Sequence, residues 1–428
     1  MPILGLLTVG LIGWLIYRVL YTNQLELSPA SLPLIWILGT GGIYLIYYLH
    51  ISLLHQNPPP ILILGLAGVG VIEAVRLRHS IKLDGWYPLK QAKWSTLILG
   101  LVVLAMSISI FMSGFYADTT RMWLAKGDML NQLPDYEHLL ESLVERFHPD
   151  YPMVMSHQYQ WQLLWLDSLI SLKLLAWVWY IALLLGCLSL LTRWTTHPIR
   201  WLILLAGYPS YWFVIPLATV DIPISVIWIT AVVWMMRYLD NREGSIVGIA
   251  LVCGVMILTK NEGFIIIGCI VIGLLMTAIL QQTKRQPIVR LIIGIVVMSG
   301  ISFISWYGLI VGQATVSVGS DFGLSGFQIE RISEVAQYLL PILFNPLETA
   351  CLWMVFLGFI VVGYRDKPLV WLPVLLYLLV ISASYTLSVR PTTLYQHIVQ
   401  SYFRLILQIA PLALVFVAHC FSVVTDDQ

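Results

Sequence analysis

The chain alternates long apolar blocks with short polar punctuation. The blocks lie near residues 3–21, 33–54, 60–77, 95–116, 165–191, 200–216, 221–238, 245–260, 262–281, 288–312, 346–364, 368–388 and 402–421. Their lengths match or approach the roughly 17–25 residues a helix needs to cross a bilayer. The pattern predicts an all-α, polytopic transmembrane helical bundle with about thirteen spans. The pairs meeting near residues 218 and 261 have almost no linker, which leaves a re-entrant or broken element open at each. No fixed-period repeat or low-complexity segment interrupts the pattern.

Composition agrees. Of 428 residues, 59% are hydrophobic and 11% charged, against roughly 25% charged in a soluble domain. So little polar surface cannot cover a chain of this size in water. The net charge of +1 gives no reason to expect a nucleic-acid partner. All five cysteines fall inside apolar blocks without CxxC or CxxH spacing. Neither a disulfide framework nor a zinc site is expected, and no metal ligand set is assigned. The sequence names no cofactor and leaves a divalent-metal requirement open. The first block lacks a basic start and leads into further spans, so it is read as a retained helix rather than a cleaved signal.

The distribution of charge adds orientation. Fifteen of the 23 Lys and Arg residues fall in alternate connections, from Arg18 and the cluster Arg76–Lys93 to Arg365 and Lys367. By the positive-inside rule that side is cytoplasmic. The N-terminus is then expected outside and the C-terminus inside, in a multi-pass plasma-membrane protein of bacterial type.

The longest polar stretch, residues 117–161, falls on the opposite side. It carries seven of the 22 carboxylates, three basic residues and the histidines His138, His148 and His157. Tyr136, Leu139, Leu140, Leu143, Val144 and Phe147 recur at helical spacing between Pro134 and Pro149, which predicts an amphipathic helix on the membrane surface. Asp118 follows an apolar run almost directly. A carboxylate at such a helix mouth is costly to desolvate and marks a functional candidate; the plainer alternative is a helix-end ion pair with Arg121. Further polar residues reach the same side: Asp221 between Pro216 and Pro223, Lys260 and Glu262 in LTKNEG, and Arg390, His397 and Arg404 before and within the last span. One acid to take a hydroxyl proton, with cations to hold a departing phosphate, is the equipment for sugar transfer from a lipid phosphate. Arginine suits the second task through its fork of donors.

These residues resemble a family. DTTRMWLAK (Asp118 to Lys126) and HPDYP (His148 to Pro152) look like the first outer loop of the C-class, GT-C-fold membrane glycosyltransferases. The nearest in style are the bacterial relatives of protein mannosyltransferases and aminoarabinose transferases. ATVDIP around Asp221, LTKNEG around Lys260, and SYFRLILQIAP around Arg404 resemble later elements of the same enzymes, in order, over about residues 95–415. The resemblance implies a GT-C-like core, a polyprenyl-phosphate sugar donor and inverting transfer on the extracytoplasmic face to a glycan, lipid or protein acceptor. It implies Asp118 as catalytic base, with Asp221 or Asp150 serving as a second catalytic carboxylate. Arg404 and Lys260 would bind the donor phosphate. Trp123, Lys126, His148, Asp150, Tyr151, Glu262 and His397 are expected to line the substrate site.

The chain departs from the family in two respects. Three spans precede the loop, so residues 1–78 are read as additional N-terminal helices, 79–94 as a basic cytoplasmic loop and 95–428 as the core. Thr119 and Thr120 stand where many members carry a second acid. Two other classes compete. An O-antigen ligase or polymerase would place its Arg- and His-rich loop late, but residues 312–345 hold no histidine. A lipid-linked-sugar transporter or flippase would need ionisable groups deep within helices, and these are scarce.

Overall fold

Apolar blocks of this length form helices because a bilayer offers no partner for backbone N–H and C=O groups. In a computed structural model of the protein, helices dominate. It describes residues 2–21, 26–83, 85–114, 123–142, 151–165, 168–217, 220–241, 244–281, 285–308, 331–362, 366–387 and 394–426. Ten helices are long and apolar enough to cross a membrane, so the protein is an all-α, multi-pass membrane protein in architecture.

The order begins with α1 (Pro2–Leu20), a two-residue strand β1 (Glu26–Leu27), α2 (Ser31–Leu54), α3 (Pro60–Leu77), β2 (Lys82–Leu83), α4 (Tyr87–Gln91) and α5 (Lys93–Met112). Three short helices follow in the polar stretch: α6 (Ala125–Gln132), α7 (Tyr136–Ser142) and α8 (Val154–Leu163). Then come α9 (Ser168–Trp194), α10 (Pro198–Ala206), α11 (Pro209–Val214), α12 (Asp221–Asn241), α13 (Ile246–Ile257) and α14 (Glu262–Leu280). The chain closes with α15 (Arg285–Phe303), α16 (Arg331–Leu343), α17 (Pro346–Thr349), α18 (Leu352–Val361), α19 (Pro368–Ser384) and α20 (Leu394–Asp426).

Burial ranks the helices. The spanning windows of α12 and α20 are 89% buried, those of α3 and α5 only 17%. The first two form the centre of the bundle; the others present Val71, Ile72, Leu101 and Leu104 outward. Exposed apolar side chains of that kind suit lipid as solvent. Close packing between helices must then come from shape. In the α1–α2 pair, a Cβ on Gly39 would meet the Val9 carbonyl, and one on Gly13 the Ile35 carbonyl. The two backbones touch there, and only glycine fits.

Three expected spans are not single long helices. The block 200–216 breaks at Gly207–Tyr208, between α10 and α11. Pro209 supplies the reason, since its ring disfavours helical backbone at the residue before it. The block 346–364 divides into α17 and α18 across Ala350 and Cys351, both with positive φ. The block 245–260 shortens to α13. In the late connection, α16 was not expected; Val335, Leu339 and Leu343, spaced by four, form its buried stripe.

Contacts sort the connections into two ends. At one end β1 pairs in parallel with β2, and Arg193 pairs with Asp240 at 3.1 Å. At the other, Asn57 donates to the Leu130 carbonyl at 3.0 Å. There the Lys173 ammonium also donates to the carbonyls of Gly114 and Pro216, each at 2.7 Å.

Candidate functional site

The second end holds a buried charge cluster built from four segments. Asp221 opens α12, Lys260 lies in the turn between α13 and α14, Glu262 opens α14, and Arg404 and Gln408 belong to α20. The turn is tight because Gly263 sits against the backbone of Met256 and Ile257. That close approach brings Lys260 back over the start of α12. On α20, His397, Ser401, Arg404 and Gln408 recur at intervals of four, three and four, which places them along one face.

Asp221 is fully buried and sits at the centre. Its Oδ1 accepts from Lys260 Nζ at 3.1 Å and from Gln408 Nε2 at 2.8 Å. Its Oδ2 accepts from Arg404 Nε at 2.8 Å. Lys260 also pairs with Glu262 Oε1 at 2.8 Å. The Tyr377 hydroxyl donates to Gln408 Oε1 at 2.7 Å, fixing which way the amide points. Two carboxylates thus face two cations in a largely buried setting. An isolated charge there would be expensive, and the pairs offset that cost. Glu262 Oε2 is buried without a hydrogen-bond partner among the described residues.

A second buried polar region lies in the polar stretch that follows α5. Every residue of α8 from Val154 to Gln162 is buried, including Ser156, His157, Gln158, Gln160 and Gln162. This element is a packed insertion where a surface segment was expected. His157 stacks on Tyr47 with ring centroids 5.2 Å apart. Its Nδ1 contacts Gln160 Oε1 and its Nε2 the Tyr136 hydroxyl, both at 2.7 Å. Gln160 Nε2 donates to Asn57 Oδ1, so its Oε1 is the acceptor and His157 must donate from Nδ1. The ring is then neutral and accepts the Tyr136 proton at Nε2. Burial favours that form and lowers the His157 pKa to about 4. Gln158 bridges Thr40 of α2 and Trp179 of α9, and Trp161 donates to the Gly5 carbonyl of α1. The N-terminal helices are thus joined to the rest through α8. The Val154 N–H donates to the Leu258 carbonyl at 3.1 Å, which ties α8 to the turn that carries Lys260.

The amphipathic stripe expected over residues 136–147 appears in its first half. Tyr136, Leu139 and Leu140 of α7 are buried while Glu137 and His138 are exposed. The stripe faces protein: Tyr136 packs against the rings of Tyr48, His157 and Trp306. Leu143, Val144 and Phe147 lie outside the described residues.

Of the expected site residues, Asp221, Lys260, Glu262 and Arg404 come together in one cluster. Trp123, Lys126 and Tyr151 form another. The Lys126 ammonium lies 5.6 Å from the Trp123 ring centre and donates to the Tyr151 carbonyl at 3.2 Å, and the two rings are 5.8 Å apart. His397 is buried edge-on to Tyr385, two turns of α20 before Arg404. Asp118, His148 and Asp150 lie outside the described residues. Gln408 and Tyr377 were not foreseen, although a glutamine four residues after Arg404 inside an apolar span was the available signal. Among the described residues no group of three or more His, Cys, Asp or Glu side chains is placed to hold a metal ion.

No protein-family model, curated protein or solved structure matches the chain.

Proposed function

We propose that the protein is a GT-C-like membrane glycosyltransferase. It moves a sugar from a polyprenyl-phosphate donor to an acceptor hydroxyl on the extracytoplasmic face. The observation that carries this reading is the convergence of Lys260 and Arg404 on buried Asp221, at the bundle end from which the Asp118 loop departs. Two cations held in fixed positions before the substrate arrives are what a departing phosphate needs, because the stabilising charges require no rearrangement during reaction.

The same geometry divides the work between the two acids. Both oxygens of Asp221 are engaged by donors. That suits it to orienting cations and suits it poorly to accepting a proton. Asp118 takes the role of base. It removes the acceptor's hydroxyl proton, the oxygen attacks the anomeric carbon, and the bond from that carbon to the phosphate oxygen breaks with inversion. The electron pair leaves with the polyprenyl phosphate, whose charge Arg404 and Lys260 hold. Trp123, Lys126 and Tyr151, with His148 and Asp150, shape the sugar pocket, and Glu262 and His397 border the phosphate side.

Lys173 favours this reading over a transport pathway. Its ammonium is anchored to the carbonyls of Gly114 and Pro216, at the same end as Asp221 and not midway along α9. The test is Asp118→Asn in membranes supplied with a radiolabelled polyprenyl-phosphate sugar. Release of free polyprenyl phosphate should fall by about 10²–10⁴-fold, the usual contribution of a general base, with unfolding temperature unchanged. Full activity in that variant would refute the assignment.

A further inference from the structure

The end of the bundle opposite Asp221 carries a cavity of about 780 Å³ between the starts of α5 and α10 and the chain joining α9 to α10. It lies about a membrane's thickness away. The 27-residue α9 has Lys173 beside Pro216 near one end and runs into the cavity wall at Thr195 at the other, roughly 33 Å from Lys173 at 1.5 Å per residue.

Its electrostatics have one sign. Lys93 and Arg200 line it, with His197, and among the described residues no carboxylate lines it. Two helices also begin there. Lys93 is the first residue of the 20-residue α5, and Pro198 that of the nine-residue α10; neither start has a side-chain cap. Each helix start adds roughly half a positive charge from its backbone. Two cations and two helix starts therefore face one hollow. Beside it, Trp94 is 80% and Tyr87 56% exposed, as suits aromatic rings at a membrane–water interface. Gln91, exposed in the wall, adds a neutral polar residue to the same lining.

We infer that this cavity is a phosphate site, and that its occupant is the headgroup of an anionic phospholipid from the leaflet around that end. The chemistry recognised is a phosphate mono- or diester. The exposed aromatics and the lipid-facing flank of α5 favour a lipid over a free ion as its source. The inference is independent of the sugar-transfer reading, which concerns the other end of the bundle.

The test uses the full-length protein purified in neutral detergent. Binding of phosphatidylglycerol and of phosphatidylcholine is followed by native mass spectrometry, for the wild type, for Lys93→Gln/Arg200→Gln and for Lys93→Arg/Arg200→Lys. Wild type should bind phosphatidylglycerol preferentially. The glutamine variant should bind it about thirtyfold more weakly, taking the usual contribution of each basic residue near an anionic surface. The charge-preserving variant should bind as wild type does, which separates lost charge from lost folding. Excess inorganic phosphate distinguishes the sources. Failure to displace the lipid supports a headgroup held together with its chains, whereas full displacement supports a site for free phosphate. Equal phosphatidylglycerol binding by wild type and the glutamine variant, or no preference over phosphatidylcholine, would overturn the proposal.

Discussion

The Asp221 cluster and the α8 network are both buried polar regions at the same end of the bundle, yet they are built on different principles. The first uses full charges: a carboxylate held by Lys260, Arg404 and Gln408, with Glu262 beyond. The second uses neutral groups: His157 between Tyr136 and Gln160, and Gln158 between Thr40 and Trp179. A bond lost from a neutral network leaves an unpaired polar group, at about 1–3 kcal/mol, but no unpaired charge. Charged ones fail abruptly. That contrast suits the α8 network to holding the loop in place and the Asp221 cluster to a task in which charge must be fixed precisely.

The comparison can be broken most severely at Asp221. Asp221→Ala leaves Lys260 and Arg404 buried without their shared counter-charge. Loss of one partner from a buried pair costs about 3–5 kcal/mol, which should appear as a large fall in unfolding temperature in detergent. A loss below 1 kcal/mol would mean that the cluster is hydrated and the pairing incidental.

The α8 network should respond to acid. The unfolded chain binds a proton at His157 near pH 6.5, whereas the folded protein resists it until about pH 4. Stability is therefore fully present above pH 6.5 and falls as the pH drops toward 4, by up to about 3 kcal/mol. Denaturation measured across that interval should show the slope in wild type and lose the His157 part of it in His157→Leu. That variant should itself be weaker at neutral pH, because Tyr136 and Gln160 lose their partner. An identical slope in both proteins would assign the acid sensitivity elsewhere.

The smallest effect marks the baseline. Arg193 and Asp240 are paired at 3.1 Å but remain about 29% and 34% exposed. Arg193→Ala should cost only about 0.2–1 kcal/mol by the same unfolding assay. A cost comparable to that of Asp221→Ala would show that burial does not distinguish the two pairs.

Charge was the part of the site most readable in the sequence. Asp221, Lys260, Glu262 and Arg404 stand out because only 11% of the chain is charged, and alternation of the spans assigns them to one side. Gln408 and Tyr377 did not register, because an amide or phenol inside a span barely lowers its hydropathy. The α8 helix was missed for the opposite reason. Its histidine and glutamines read as loop, and only tertiary packing against α1, α2 and α9 makes them buried. Most long helices could be placed from apolar block length alone. The breaks at Gly207–Tyr208 and at Ala350–Cys351 could not, since they depend on local backbone conformation and not on hydropathy. Pro209 was the visible clue to the first.

The central claim is that Arg404, oriented by Asp221, holds the phosphate of a lipid-linked sugar. It is tested most directly by photo-crosslinking membranes with a polyprenyl phosphate bearing a photoreactive group near the phosphate. Wild type and Asp118→Asn should be labelled equally, because the proposed base has no part in donor binding, and Arg404→Gln should lose the label. Undiminished labelling of Arg404→Gln would contradict the account.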